Sequence, residues 1–244
     1  MIAGEKTTWR MLAQPVAVFI ALGAIIWWIS NADLSETEQV TLTVPYLWEL
    51  TVQHLSLTLF CALIVLITAI PAGILLIRKP LRRLTTPVMM LANIGQAAPI
   101  IGLVVLFAFW LGFGFKAAAV ALILYAFLPV LKNTMVGLDS VDRSTIEAGR
   151  GMGMSALAVL FRVEIPLAIP IMLSGIRTAL VLLVGTATLA TFVDGGGLGL
   201  LITTGVNLAL DRVLITGALL VALLALLIDW VARVFEQVLR PKGQ

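Results

Sequence analysis

Six stretches of 15 to 26 mostly apolar residues punctuate this 244-residue chain, at 15–29, 55–77, 88–111, 117–131, 167–192 and 213–231. A helix needs about 20 such residues to cross the hydrocarbon layer of a bilayer. The 117–131 stretch is short for that task, and 167–192 is long enough to tilt. No alternating ten-residue segments of the kind that build membrane barrels occur. A soluble interior has no room for this much apolar matter: 61% of the residues are hydrophobic and 12% charged, against about 45–50% and 25% in ordinary domains. The mean hydropathy of +1.09 agrees. A soluble enzyme and a disordered chain are thereby excluded, and Cys61, alone, rules out a disulfide scaffold. The fold class expected is an all-α integral membrane protein with six transmembrane helices.

Lys and Arg set the orientation. The tail 1–14 carries Lys6 and Arg10; 78–87 carries Arg78, Lys79, Arg82 and Arg83; 132–165 carries Lys132, Arg143, Arg150 and Arg162; 233–244 carries Arg233, Arg240 and Lys242. The alternate connections hold only Lys116 and Arg212, and 31–51 has four acids instead. Thirteen basic residues against two place both termini in the cytoplasm. The net charge of +3 therefore reflects topology rather than nucleic-acid binding. Lys6 and Arg10 precede the first span as in a signal peptide, but Trp27 and Trp28 close it and no small-residue cleavage site follows closely. The expectation is an uncleaved anchor with its indoles at the interface.

Tools for covalent chemistry are missing. No Gly-Lys dipeptide exists to build a P-loop, and His54 is the lone histidine. No cofactor or metal is expected on this chain.

The connection 132–165 is far longer than a join between helices requires. Ser144-Thr145-Ile146-Glu147 reads as a capping box opening a helix. Gly149, Gly151 and Gly153 interrupt it, and Ser155 caps a second helix whose Leu157, Leu160 and Phe161 share a face. Pro166 ends that helix or opens the next span. The product is a helix–turn–helix with Met152 and Met154 at its tip and Glu147 and Arg150 alongside. Two readings fit an apolar tip there: a docking site for another protein, or an amphipathic helix on the bilayer surface.

Glu147-Ala148-Gly149, three residues, Gly153, nine residues, then Val163-Glu164-Ile165-Pro166 resembles the EAA loop of ABC importer permeases, whose pattern is Glu-Ala-Ala, three residues, Gly, nine residues, Ile-x-Leu-Pro. Gly149, Val163 and Ile165 depart mildly from it. The resemblance covers about residues 52–232. Gln53-His54-Leu55, Ile70-Pro71-Ala72-Gly73, Gly175-Ile176-Arg177-Thr178-Ala179, Gly185-Thr186-Ala187-Thr188 and Gly195-Gly196-Gly197-Leu198-Gly199 are most similar to its osmoprotectant branch, which serves glycine betaine, choline, carnitine or proline.

The resemblance implies a MetI-like type I permease fold in the bacterial cytoplasmic membrane. It divides the chain into 1–51 (tail, first span, acidic outer segment), 52–232 (permease domain, coupling loop 139–166) and 233–244 (tail). It implies two permease subunits, identical or paralogous, two separate ATPase subunits that use ATP and Mg, and an extracytoplasmic binding protein. Glu147, Ala148, Gly149, Met152 and Gly153 would couple the permease to the ATPase, with Gly153 permitting the sharp turn.

Pathway candidates are less sharply marked. Asn93 and Gln96 share a face of the third span, before Pro99, which is expected to kink it; they line a pathway or hydrogen-bond between helices. Thr178, Thr186, Thr188 and Thr191 face a pore or bond their own helix. Arg177, costly at mid-span, is a gate or a tether. Asp229 can pair with Arg233 one turn on. The rings Phe107, Phe109, Trp110, Phe113 and Phe115 form an interfacial belt or a site for a quaternary ammonium. Gly195–Gly199 is an outer gate or a plain turn. Three other identities compete with the leading one: a permease for another small solute such as methionine, an ion-coupled secondary transporter, and a membrane-embedded enzyme. Asp229 alone among intramembrane acids disfavours the second of these, and the missing acid, base and metal clusters disfavour the third.

Overall fold

A chain this apolar folds as helices because lipid offers no partner to an unpaired amide. The computed structural model describes the backbone of residues 3–239 and the side chains of 12–238, and within it every regular element is helical. In order these are α1 (Ala3–Ser30), α2 (Glu36–Thr41), α3 (Val44–Leu76), α4 (Thr85–Ala97), α5 (Ile100–Leu111), α6 (Phe115–Asp139), α7 (Arg143–Gly151), α8 (Ala156–Val159), α9 (Ile165–Thr186), α10 (Gly199–Asn207) and α11 (Asp211–Leu239). Three tighter or looser turns join them: 3-10 segments at Arg82–Leu84 and Ala187–Val193, and a π segment at Leu160–Glu164. Five spans are long and apolar enough to cross a membrane, and the bent pair α4 and α5 makes a sixth if counted as one. The side chains of Lys6, Arg10, Arg240 and Lys242, which enter the charge balance, lie outside the described residues.

Four expectations change. The third span is broken rather than kinked: the helices on either side of Ala98–Pro99 bend by 99°. Ala98 is extended, at φ −64° and ψ 141°, as a residue before proline prefers, and Pro99 has no amide to continue the ladder. The second span begins at Val44, eleven residues early, and so carries Gln53 and His54 on its helix. The 31–51 segment contains α2, opened by a capping box. The 193–212 segment is a turn followed by α10, whose Leu201 is buried.

The described residues form two compact units. The first holds those up to Cys61 with Pro99–Leu122 and Leu180–Val231; the second holds Ala62–Ala98, Ile123–Ala179 and those from Ala232.

In the first unit an apolar cluster gathers Leu50 of α3, Val184 of α9, Leu198, Leu201 of α10 and Val213 of α11. Val18 and Ile25 of α1 pack on Leu223 of α11, and the Gln14 amide donates to the Leu226 carbonyl at 2.8 Å. Gly114 N–H donates to Val193 O, tying the start of α6 to the 187–193 turn. Ser35 and Glu38 close the capping box of α2, and the Arg212 guanidinium reaches Asp33 O at 2.6 Å and Glu38 Oε2 at 3.7 Å. The Ser35 backbone N–H and hydroxyl hold the Glu38 carboxyl below its ordinary value, with Arg212 adding to them against burial.

The second unit uses small residues. A Cβ on Gly73 would meet Thr134 Cγ2 at 2.8 Å, and one on Gly137 would meet Ala168 O at 3.0 Å. α6 thereby approaches both α3 and α9 backbone to backbone, as membrane helices do where dispersion has to replace the hydrophobic effect. Beneath lies a cluster of Leu138, Val141, Leu160, Ala168 and Met172, joined by Ile70, Ile74 and Ile77.

Candidate functional site: the elbow between α6 and α9

The elbow lies wholly in the second unit. Its first arm, α7, is capped by Asp142 and not by Ser144 as its sequence suggested. The Asp142 carboxylate accepts from Ser144 N–H at 3.2 Å and from Ser144 Oγ at 2.6 Å. Ser144 is therefore already inside the helix, as the hydroxyl partner of the cap. These two bonds hold the Asp142 carboxyl below its ordinary value.

The far end of α7 closes on a glycine. Gly153 N–H donates to Arg150 O at 2.9 Å and Met154 N–H to Gly149 O at 3.2 Å, with Gly153 at φ +83°. That pair of bonds is the Schellman arrangement, in which a left-handed residue just past the helix satisfies the last carbonyls. Gly149 is buried inside the turn: an added Cβ would find Val159 Cγ2 at 3.5 Å and Met154 Sδ at 3.7 Å, ordinary contact distances. An alanine methyl fits there, which is why glycine at this position is a mild departure.

Ser155 caps α8, its Oγ accepting from Ala158 N–H at 3.2 Å. The helix then passes through the π segment into α9 without a stop, and Pro166, which has no amide to donate, sits just after the join between them. Leu160 is buried, while Leu157 and Phe161 are 68% and 64% exposed, so the three do not form one packed stripe. Met152 is 72% exposed, and Glu147 and Ala148 are exposed beside it. Their i, i+4 spacing keeps Leu157 and Phe161 on one exposed face, and only Leu160 of the expected three turns inward.

Asn93 and Gln96 lie on α4, with the Asn93 amide turned back onto Met89 O at 2.7 Å. Arg177 is half-buried on α9. Thr186 ends α9 and its hydroxyl donates to Leu182 O at 2.8 Å; Thr188, in the 3-10 segment, donates to Gly185 O at 2.7 Å, and Thr178 to Ser174 O at 2.9 Å. Asn93, Gln96 and Arg177 belong to the second unit, Thr186 and Thr188 to the first. The Asp229 carboxylate accepts from the Gln14 amide at 3.5 Å. Phe109, Trp110 and Phe113 are 77%, 73% and 70% exposed, an open apolar surface rather than a closed aromatic box. The cavity of about 410 Å³ between α1 and α11 is lined by apolar residues such as Ile25, Trp28 and Leu219 and offers a polar solute nothing. No group of three metal-ligating side chains occurs among the described residues.

One polar site escaped sequence reasoning. His54, fully buried on α3, donates from Nε2 to Val184 O at 2.9 Å, and Gln53 Oε1 accepts from Gly197 N–H at 3.1 Å. Gly196 and Gly197 have φ +76° and +90°, and a Cβ on Gly197 would lie 3.0 Å from His54 Nδ1. The glycine-rich turn is therefore clamped to α3. The lone histidine of the chain was the available signal; its partner, 130 residues away, was not.

Comparison with known proteins extends this picture. The model of a family described as the inner membrane component of binding-protein-dependent transport systems matches residues 69–241. The glycine betaine/carnitine/choline transport system permease protein OpuCB of Bacillus subtilis is 41% identical over 191 residues, 78% of this chain and 87% of that protein. The osmoprotectant import permease protein OsmY of Salmonella typhimurium is 38% identical over 232 residues, 95% and 96% of the two chains. In structure the chain is similar to a subunit of the inward-facing MetNI methionine ABC transporter, with a TM-score of 0.72 at 23% identity, covering 85% of this chain and all of the other; at that identity the likeness establishes the fold. With more than half its length matched by the family model, the chain belongs to the inner membrane components of binding-protein-dependent transport systems.

Proposed function

We propose that this chain is the pore-forming permease subunit of an ATP-driven importer for compatible solutes, quaternary ammonium compounds such as glycine betaine, choline and carnitine, or proline. It works in the bacterial cytoplasmic membrane with both termini inside. A second permease subunit, a pair of ATPase subunits that use ATP and Mg, and an extracytoplasmic binding protein complete the machine. The solute class rests on relatives named for glycine betaine, carnitine and choline or for osmoprotectants, which this chain matches over most of its length, and proline rests on the resemblance alone.

The observation that carries the coupling role is the elbow itself. It is capped at Asp142 and Ser155 and closed at Gly153, which makes it stiff, and it presents Met152, Leu157 and Phe161 to its surroundings. Exposed apolar side chains on a stiff lever suit a protein groove. Glu147, Ala148, Gly149, Met152 and Gly153 form the surface and the turn that the ATPase grips. Closure of the ATPases moves the lever, and because α8 runs into α9 unbroken, the span follows, biasing one arrangement of the pathway over another. Asn93, Gln96, Arg177, Thr186 and Thr188 are the pathway or gate residues of this reading.

The test is reconstitution of the permease with its ATPase and binding protein in vesicles. ATP hydrolysis that rises with betaine-loaded binding protein, and uptake of labelled betaine that stops without ATP, support the proposal. Uptake that persists without ATP sinks it. ATP-driven uptake of methionine but not of betaine, choline, carnitine or proline replaces the solute class and leaves the mechanism standing.

A further inference from the structure

Glu164, the residue between Val163 and Ile165 at the end of the elbow, has a side chain only 3% exposed. It closes the π segment and abuts the first residue of α9. Arg78, two residues beyond the end of α3, grips it with both terminal nitrogens: Nη1 to Oε1 at 3.3 Å and Nη2 to Oε2 at 2.5 Å. The Arg78 side chain is 34% exposed, so one partner reaches outward while the other is enclosed. The two residues are 86 positions apart in sequence.

A carboxylate at that depth requires a matched charge. The paired fork also does something that neighbouring apolar contacts do not. Ile70, Ile74 and Ile77 of the α3 end pack against Leu160, Ile165 and their cluster, but apolar contact has no preferred direction and tolerates sliding. A two-point guanidinium–carboxylate pair fixes both distance and angle. It sits on a π turn, the least regular link between lever and span. The α3 end is itself fastened to the start of α4, since Thr85 Oγ1 donates to Leu76 O at 2.8 Å.

We propose that the Arg78–Glu164 pair is the strut that makes the elbow, α9 and the end of α3 move as one body. ATPase-driven motion then reaches α3 and α4 as well as the span that follows the elbow in sequence. These are positioning residues; neither touches solute or nucleotide. The inference rests on the transport reading above and deepens it.

The experiment reads labelled betaine taken up per ATP hydrolysed, in the reconstituted complex with loaded binding protein, together with co-purification of the ATPase. Glu164→Gln and Arg78→Gln are expected to assemble with the ATPase yet lower that ratio by about tenfold, within the usual range of coupling energies. The exchanged pair Arg78→Glu with Glu164→Arg is expected to recover most of it, and Arg78→Lys less, because an ammonium lacks the fork. A wild-type ratio in Glu164→Gln overturns the strut, as does loss of assembly that the exchanged pair does not restore. A second measurement is independent of transport. Spin labels at Leu75→Cys and Leu157→Cys, in a Cys61→Ala background, should give one narrow distance in the otherwise wild-type protein and a broadened one with Glu164→Gln. An unchanged distribution overturns the proposal even if transport fails for other reasons, and a broadened one supports the strut even if betaine is the wrong solute.

Discussion

Both compact units pack closely at glycines, the first at Gly199, Gly205 and Gly217 and the second at Gly73, Gly137 and Gly175, and they differ in the polar bonds added to that packing. The first is fastened by polar side chains reaching backbone groups far away in sequence: His54 to Val184 O, Gln53 to Gly197 N–H, Arg212 to Asp33 O. The second has glycines letting α6 touch α3 and α9, and at the elbow a charged pair, Arg78 with Glu164, in place of side-chain bonds to distant backbone. Directional bonds fix a turn that carries few apolar side chains of its own, such as 195–199. Close packing fixes long apolar helices, for which side-chain hydrogen bonds would be redundant. Close packing should fail abruptly when volume is added, and directed bonds should fail in proportion to the number removed.

The largest effect expected is at Gly175 of α9. A Cβ there would run into the Asn133 side chain and lie 2.7 Å from Pro129 O. Gly175→Val should cost about 3 kcal/mol or more by overpacking, seen as loss of monodisperse protein on size-exclusion chromatography in detergent. Normal behaviour would break the comparison at its root.

His54 comes next. His54→Ala leaves a cavity and a carbonyl without its donor, for about 2–4 kcal/mol in thermal unfolding. His54→Phe keeps most of the volume and loses the bond alone, about 1–3 kcal/mol. If the phenylalanine variant matches wild type, the first unit stands on shape alone, and the distinction is lost.

Gly153→Val places a branched side chain at φ +83°. About 1–2 kcal/mol of backbone strain should fray the end of α7, and betaine uptake per ATP should fall while the spans remain folded. Retained coupling would show that the turn need not be rigid.

The smallest effect concerns acid. The Glu38 carboxyl is held below its ordinary value of 4.5 by Ser35 first and Arg212 last. The bonds to the carboxylate therefore contribute stability that is fully present above that value and is lost as pH falls through the lowered one. Lowering pH from 6 to below 4 should reduce the melting temperature slightly, and Glu38→Gln should flatten that part of the profile. A Glu38→Gln protein with the wild-type slope would remove the capping box from the list of anchors.

Local rules carried the sequence reading a long way. The spans follow from length and apolarity, the elbow from its connection length, and the break in it from Gly149, Gly151 and Gly153, of which the resemblance singled out Gly153 as the turn. Ser155 was legible as a cap because a cap acts within three residues. Asp142 was missed although it obeys the same rule, since Ser144 offered a rival start two residues on and the choice depends on where α6 lets go. The 99° break at Ala98–Pro99 was read as a kink because a proline in an apolar run signals disruption without its size. The helix at Gly199–Asn207 was invisible behind the glycines that precede it. Leu157, Leu160 and Phe161 were given one face, and the structure exposes the first and last while it buries Leu160.

By itself the sequence determined that this protein is a bundle of helices in lipid, with a capped elbow between its fourth and fifth hydrophobic stretches. Those features rest on hydrophobicity, capping and turn geometry, which act over a few residues or in proportion to composition. Only the tertiary structure decided that His54 meets Val184, that Gln53 clamps the glycine turn, and that Arg78 takes hold of Glu164. Each of those bonds joins residues 86 or more positions apart. At such separations the partner of a polar side chain is chosen by how the helices pack, and nothing local to either residue announces it.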